Sequence, residues 1–313
     1  MEHRMTHAQP RNQWGFWTAC FIFFMGCSPS GSDAPSFDQN FDRPQQESTE
    51  PQQDVVIPNF NADSAYRYIE QQVDFGPRVP NTPPHEACGA WLASELDRHG
   101  AEVTVQTARV RAFDGTILNI QNIIGSFAPE RKGRVLLYAH WDTRPFADKD
   151  SIRQREPIDG ADDGGSGVGV LLEVARHLGA DSLDVGVDII FFDAEDYGTP
   201  EWAPNTGNSH LTWCLGSQFW ANQPHAFGYQ AKYGILLDMV GAEDARFNME
   251  GTSMSFAPAL VKKIWKAADR LGHGNLFTTE VTPQTIDDNL FVSQFAGIPS
   301  ANIVHYRMRV LPM

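Results

Sequence analysis

The chain has 313 residues, with 24 lysines and arginines against 39 aspartates and glutamates, so its formal net charge is −15 at neutral pH. A hydrophobic share of 42% and a charged share of 20% exclude a wholly disordered, collagen-like or multi-span membrane protein. A protein that binds nucleic acid needs a positively charged surface to contact the phosphates. The excess of negative charge argues against such a surface, so we expect no nucleic-acid partner. Four cysteines are too few for a disulfide-rich scaffold.

The N-terminal segment has the pattern of an export signal. Residues 1–13 are polar and carry two arginines, and the apolar run Trp14–Met25 follows. A membrane-spanning helix needs about 20 apolar residues, so this shorter run is better explained as the core of a signal peptide. Gly26-Cys27 directly after the run resembles the cleavage and lipidation box of bacterial lipoproteins, which implies an acylated Cys27. An ordinary secretory signal or an uncleaved anchor is the alternative.

The next segment predicts a tether between the membrane and a folded domain. Residues 28–54 are rich in serine, proline, glutamine and aspartate and poor in aliphatic side chains, so they cannot bury enough apolar surface to order themselves. We therefore predict a lipoprotein-type signal peptide over 1–27, a disordered tether over 28–54 and a catalytic domain over 55–313. This organisation implies an exported protein at the periplasmic or cell surface. The predicted domain contains two cysteines, Cys88 and Cys214. They could form one disulfide, or they could be two buried thiols.

From residue 55 the sequence alternates helix and strand patterns. Asp63 is the predicted cap of a first helix, and Pro83-Pro84 begins a second helix that ends before Gly100. The later predicted elements are strands at 103–107, 117–124 and 135–138, a helix at 167–178, strands at 185–192 and 235–237, a helix at 258–271 and a strand at 301–304. Several strands are continuous apolar runs, which are typical of strands buried on both faces. This order predicts a three-layer α/β/α domain around a mostly parallel, mixed sheet.

Ionisable residues cluster where these strands end. The imidazole and carboxyl groups at or between the strand ends are His140, Asp142, Asp162, Asp163, Asp193, Glu195, Asp196, Asp238, Asp287 and Asp288. In open α/β sheets ligands bind at the carboxyl ends of the strands, and this set of groups suits a zinc site with a further carboxylate for proton transfer. Adjacent Glu195 and Asp196 are expected to point opposite ways, so one can bind metal while the other acts as a base whose pKa is raised by burial.

The glycine-rich loop between the first two strand ends fits two other kinds of site poorly. Gly164–Gly169 does not follow the GxGxxG pattern and lacks the Lys-Ser/Thr pair of a phosphate loop. Asp162 and Asp163 would also repel a pyrophosphate. Ser166 stands in a partial GxSxG pattern, but the spacing of the last glycine is wrong for a serine-hydrolase elbow. These mismatches favour the metal site.

Six motifs occur in a fixed order within residues 60–304. They are His140–Pro145 (HWDTRP), Gly160–Asp163 (GADD), Phe191–Asp196 (FFDAED), Leu215–Trp220 (LGSQFW), Leu237–Gly241 (LDMVG) and Ile286–Asp288 (IDD). As a set they resemble the bacterial zinc glutaminyl cyclases, which share a superfamily and a zinc aminopeptidase-like fold with the di-zinc aminopeptidases. The resemblance implies a glutaminyl-peptide cyclotransferase, an acyltransferase that converts the N-terminal glutamine of peptides or proteins to pyroglutamate and releases ammonia. The HWDTRP and LGSQFW motifs favour this branch.

The resemblance also implies roles for individual residues. Asp163 and Asp196 would bind one zinc ion per chain, and Glu195 would be the general acid/base. Asp238 and Asp288 would form a hydrogen-bond chain that tunes Glu195. The ring of Trp202, in the loop after Asp196, would be either a lid aromatic or an ordinary surface or core tryptophan.

The aminopeptidase branch is the alternative enzyme class. There His140 and Asp238 would hold a second zinc ion, Asp163 would bridge the two ions, and Glu195 would activate the water that attacks the peptide bond. Two metals per chain in place of one would distinguish this branch from the cyclases. The sequence leaves the oligomeric state open.

The chain departs from the family pattern at three places. Asp196 stands where glutamate is common, and Asn289 stands where histidine is common. The family takes its last zinc-binding histidine from a Trp-His-Thr-like loop, which has no counterpart before Met313. We predict that His305 is a strand-end histidine and not a substitute ligand. We therefore expect a truncated C-terminal part without the usual loop and helix, weaker zinc binding and, as a third hypothesis, an inactive pseudoenzyme.

Overall fold

A computed structural model describes residues 57–204, 207 and 209–305; the predicted signal peptide, the tether and the C-terminal residues 306–313 lie outside this range. The described helices are α1 (Ala62–Asp74), α2 (Pro83–Arg98), α3 (Ser166–Ala180), α4 (Leu215–Asn222), α5 (Gly251–Phe256), α6 (Pro258–Arg270) and α7 (Asp288–Phe295). The strands are β1 (Glu102–Arg111), β2 (Ile117–Phe127), β3 (Arg134–His140), β4 (Gly186–Phe192), β5 (Gly234–Asp238), β6 (Phe247–Met249), β7 (Phe277–Val281) and β8 (Ser300–Val304). None of these helices is long and apolar enough to cross a membrane.

Six strands form one sheet in the order β1-β2-β4-β3-β5-β8. β2 pairs antiparallel with β1 and with β4, whereas β4, β3, β5 and β8 run parallel to one another. The prediction of a mixed, mostly parallel sheet is therefore confirmed. β6 and β7 form a separate two-stranded parallel sheet.

The two faces of the six-stranded sheet carry separate hydrophobic cores. Ile123 and Ile189 belong to the cluster beneath α2 and α3, whereas their neighbours Ile124 and Ile190 belong to the cluster beneath α4 and α7. Successive strand residues point to opposite faces, so each apolar run fills both cores. β4 is buried along all seven of its residues, as its continuous apolar sequence predicts. The predicted three-layer α/β/α architecture is confirmed.

Some local predictions need correction. Asn61, not Asp63, caps α1, because the Asn61 side chain accepts a hydrogen bond from the Ser64 N–H. The structure also contains α4, α5, α7, β6 and β7, which the sequence pattern does not predict and which all have eight residues or fewer. Cys88 and Cys214 are both free and buried, so they do not form a disulfide.

Candidate active site and metal centre

Residues at or just after the carboxyl ends of three neighbouring parallel strands line a cleft of about 770 Å³. β3 pairs with β4 on one side and with β5 on the other. β3 ends at His140, β5 ends at Asp238, and the loop that carries Glu195 and Asp196 follows β4. The strand-end rule therefore predicted correctly that these side chains meet.

His140 joins two carboxylates from different segments. Its Nε2 lies 3.0 Å from Oδ1 of Asp163 and 3.2 Å from Oδ1 of Asp238, and its side chain is only 2% exposed. Burial alone would lower the pKa of His140, but Asp142, Asp163 and Asp238 together raise it well above the ordinary value. The potential ligand atoms of His140, Asp163 and Asp238 all lie within 4.8 Å of one another.

Two buried aspartates shape the loop that carries Glu195 and Asp196. The carboxylate of Asp142 accepts hydrogen bonds from the backbone N–H groups of Glu195 at 3.0 Å and Asp196 at 3.2 Å. The carboxylate of Asp193 accepts the Ala194 N–H at 2.7 Å. These bonds hold Ala194 in the left-handed region, at φ 51°, which is costly for a residue other than glycine. Strained backbone of this kind concentrates at functional sites.

Glu195 and Asp196 contact different partners, as two adjacent side chains that point apart should. Oε1 of Glu195 accepts a hydrogen bond from the thiol of Cys214 at 3.3 Å, whereas Oδ1 of Asp196 lies 3.4 Å from Nη1 of Arg144. Burial raises the pKa of Glu195 well above its ordinary value, and neighbouring carboxylates raise it further. Burial and the charge of Asp163 do the same to the pKa of Asp196.

Of the two consecutive aspartates at the start of α7, Asp287 is the one beside Glu195. It lines the cleft, and its carboxylate lies within 4.8 Å of potential ligand atoms of Glu195 and Cys214. Its Oδ2 accepts a hydrogen bond from Nδ2 of Asn302 at 2.7 Å. Asp288 is fully buried, is absent from the cleft wall, and has its pKa raised by burial to about 7. The family resemblance had assigned the tuning role to Asp288, whereas the geometry brings Asp287 to Glu195.

Arg144 lines the cleft, although the sequence pattern predicts no role for it. Arg144 donates to Asp148 through Nε at 2.9 Å and Nη2 at 2.6 Å, and through Nη1 to the backbone carbonyl of Asp196 at 3.0 Å. Its guanidinium carbon also lies 4.5 Å from the ring centroid of Trp213. Arg144 belongs to the HWDTRP motif, so its place in that motif was the available signal.

Trp202, the candidate lid aromatic, contacts a residue that lines the cleft. It packs edge to face on Phe146 with ring centroids 5.4 Å apart, and Phe146 lines the cleft. Trp202 itself is not part of that lining.

His305 lies directly after β8. Its Nδ1 accepts a hydrogen bond from the Arg246 N–H at 2.9 Å, and its backbone forms an isolated bridge with Phe247. The prediction of a strand-end histidine is confirmed.

The donor set of the cleft fits a zinc ion. Oδ2 of Asp196 is buried and has no hydrogen-bond partner among the described residues. An unpaired carboxylate oxygen in such a place is costly, and a cation is the partner that would satisfy it. Asp163 lines the same cleft and supplies a second carboxylate, and zinc accepts carboxylate oxygens as ligands.

Comparisons with known proteins agree with this description. Residues 122–309 match Peptidase family M28. The crystal structure of the Bacteroides thetaiotaomicron glutaminyl cyclase bound to N-acetylhistamine is 50% identical, with a TM-score of 0.80, and the match covers 82% of this chain and 88% of that one. The Tannerella forsythia glutaminyl cyclase is 54% identical, with a TM-score of 0.78 over 80% of this chain and 86% of that one.

Exopeptidases of the same superfamily are also similar. A Zn-dependent exopeptidase from Parabacteroides distasonis is 53% identical, with a TM-score of 0.79 over 81% of this chain and 87% of that one. A probable leucine aminopeptidase of Trichophyton verrucosum is 28% identical over 123 residues, which is 39% of this chain and only 31% of that protein. The family match and the shared fold lead to one conclusion: this chain belongs to peptidase family M28, and it has the zinc aminopeptidase-like α/β/α fold.

Proposed function

We propose that the protein is a zinc-dependent glutaminyl-peptide cyclotransferase. It converts the N-terminal glutamine of peptides or proteins to pyroglutamate and releases ammonia. The observation that carries this proposal is the buried Glu195, which lines the cleft beside Asp163 and Asp196 in a chain about half identical to bacterial glutaminyl cyclases.

Asp163 and Asp196 are the proposed zinc ligands. The support is the buried, unpartnered Oδ2 of Asp196 and the placement of Asp163 in the same cleft. When bound, zinc supplies Lewis-acid polarisation of the carbonyl oxygen of the glutamine side-chain amide. One ion per chain suffices for this role, and His140 and Asp238 would bind metal only where a second ion is present.

Glu195 moves the proton of the reaction. The α-amine of the substrate attacks its own side-chain amide carbon, a new C–N bond closes the ring, and the C–N bond to the leaving nitrogen breaks. Glu195 accepts a proton from the attacking amine and delivers it to that nitrogen, which leaves as ammonia. A carboxylate with a raised pKa is a stronger base than an ordinary one, so burial of Glu195 suits this task.

Neighbouring acids tune Glu195 from outside the reacting atoms. The negative charges of Asp287 and Asp288 both raise the pKa of Glu195. Asp287 acts from the cleft wall, within 4.8 Å of the Glu195 and Cys214 ligand atoms, whereas Asp288 acts from full burial. Asp238 holds His140 through the 3.2 Å contact and belongs to the same network. These residues are positioning and tuning groups, and Glu195 is the catalytic one.

A di-zinc aminopeptidase is the second candidate, and one observation favours it. The potential ligand atoms of His140, Asp163 and Asp238 lie within 4.8 Å of one another, which is close enough for all three to share an ion. In that enzyme Glu195 would take a proton from the water that attacks the peptide bond. The two candidates therefore use the same carboxylate but release different products.

The chemical test compares two peptides that differ at the first residue. A peptide that begins with glutamine should lose ammonia with its peptide bonds intact, which mass spectrometry of the product detects. The matched peptide that begins with asparagine should be unchanged, because its side chain is one methylene too short to close a five-membered ring. Cleavage of the first peptide bond would establish the aminopeptidase, and no product from the zinc-loaded chain would establish the pseudoenzyme.

In its cell the protein is proposed to be exported and held at the membrane through an acylated Cys27. The support is the apolar run Trp14–Met25 followed directly by Gly26-Cys27. Metabolic labelling of the full chain with a fatty-acid analogue tests this. The wild type should take up the label, and Cys27→Ser should not. An unlabelled wild type would contradict lipidation.

A further inference from the structure

Arg78 is a fully buried arginine whose guanidinium holds the backbone of two separate loops. Nε donates to the carbonyl of Trp141 at 3.4 Å, and Nη2 donates to the carbonyl of Gly160 at 2.7 Å. Nη1 donates to the carbonyl of Asp159. The relative exposure of Arg78 is 0%. Its side chain therefore links the loop after β3 to the glycine-rich loop before α3.

Burial of the positive charge of Arg78 costs desolvation free energy. Within the described part of the chain, Arg78 forms no ion pair at 4.0 Å or less, so its charge is balanced by carbonyl dipoles and by more distant carboxylates. Burial lowers its pKa, and the charges of Asp142, Asp159 and Asp163 act in the opposite direction. A neutral side chain would avoid this cost, so the guanidinium is expected to serve the site that it supports.

Both loops held by Arg78 carry residues of the cleft. Trp141 is followed by Asp142, whose carboxylate fixes the backbone of Glu195 and Asp196. Gly160 lies three residues before Asp163 and is tightly packed, since a Cβ added there would lie 2.3 Å from Cγ2 of Thr143. The two loops are therefore in direct contact, with the guanidinium bonded to both.

We propose that Arg78 is a positioning residue that fixes Asp163 relative to the Asp142 loop and thereby sets the zinc affinity of the cleft. This inference rests on the proposed role of Asp163 as a zinc ligand. Lysine cannot replace arginine here, because a single ammonium group lacks the planar fork of donors that reaches both loops.

The test compares Arg78→Lys with Arg134→Lys. Arg134 is the matched control, because it is also largely buried, donates to the carbonyl of Ala128 at 3.1 Å and pairs with Asp188 at the opposite end of the strands. Both variants should lose thermal stability. Only Arg78→Lys should weaken zinc binding, by about 10- to 100-fold as is typical of groups that orient a ligand. Competition with a chromophoric chelator measures this affinity without recourse to turnover.

A second variant separates a loss of zinc affinity from a failure to fold. Arg78→Gln removes the buried charge and with it the desolvation cost, yet its amide reaches only one loop, so the same loss of zinc affinity is expected in a folded protein. Unchanged affinity in a folded Arg78 variant, or an equal loss in Arg134→Lys, would overturn this inference alone. Absence of zinc binding by the wild type would overturn the proposed function and this inference with it.

Discussion

The thiol of Cys214 donates a hydrogen bond to Oε1 of Glu195, with 3.3 Å between Sγ and Oε1. The backbone N–H of Cys214 also donates to the carbonyl of Glu195 at 2.8 Å. One residue therefore holds the side chain and the backbone of the proposed general acid/base. Burial raises the pKa of the Cys214 thiol well above its ordinary value, so the thiol stays protonated and remains a donor. Its left-handed backbone, at φ 57°, places both groups at the start of α4.

Removal of this donor should slow turnover without weakening substrate binding. We expect Cys214→Ala to lower kcat about three- to tenfold, since a hydrogen bond of this kind contributes about 0.5–1.5 kcal/mol. KM should stay close to the wild-type value, and Cys214→Ser, which restores a donor, should recover most of kcat. Steady-state ammonia release measures these parameters. The matched control is Cys88→Ala, because Cys88 is equally buried in the core between α2 and the sheet. A wild-type kcat in Cys214→Ala would show that the thiol has no such role.

Substitution of the two consecutive aspartates should separate their roles. Asp287→Asn removes the carboxylate beside Glu195 and is expected to lower kcat about 10- to 100-fold, as loss of a tuning group does in metal sites. Asp288→Asn should have a smaller effect, because Asp288 is fully buried and does not line the cleft. Measurement of kcat for both variants at the same pH shows which aspartate has the larger effect on turnover. A larger loss in Asp288→Asn would return the tuning role to Asp288.

Removal of zinc should make the stability of the fold depend on pH. The pKa of Asp288 is raised to about 7, and those of Glu195 and Asp287 are raised well above their ordinary values. The folded metal-free protein then binds more protons than the unfolded chain. Its free energy of unfolding should therefore fall as pH rises from the ordinary Asp value of 3.8 through about 7.

Zinc should offset this loss, because it binds the ionised carboxylates. At 100 times its dissociation constant, a ligand raises the free energy of unfolding by about 2.7 kcal/mol. Urea denaturation at about pH 5 and about pH 8, with zinc and with a chelator, should show a larger zinc effect at the higher pH. Equal stability of the metal-free protein at both pH values would contradict the buried acid cluster.

The sequence predicted the sheet well because its strands are unusually apolar. β3, β4 and β5 are continuous or nearly continuous apolar runs, and their order between helices predicts parallel pairing. Parallel pairing in turn brings His140, Asp238 and the loop after β4 to one edge. The short elements α5, β6 and β7 were not predicted, because three to six residues are too few to show a hydrophobic periodicity.

The sequence did not reveal hydrogen bonds from a side chain to the backbone of a distant segment. Arg78 bonds to carbonyls 63, 81 and 82 residues away, and a bond to backbone leaves no trace in the identity of the partner residue. The prolines that follow Arg78 indicated only where the second helix begins. The sequence also could not predict which of Asp287 and Asp288 faces the cleft. That depends on the residue at which α7 begins, and the two neighbours are identical in type.

In the proposed zinc-dependent cyclisation, Glu195 carries the proton from the amine to the leaving nitrogen. The most direct test is zinc content and ammonia release from a glutamine-initiated dipeptide, measured on the full-length wild type, Glu195→Gln and Glu201→Gln. Glu201 lines the same cleft but is exposed, so it is the matched control. We predict that all three proteins bind zinc, that kcat falls about 10²- to 10⁴-fold in Glu195→Gln, and that Glu201→Gln stays within about twofold of the wild type. Undiminished ammonia release by zinc-loaded Glu195→Gln would contradict the account.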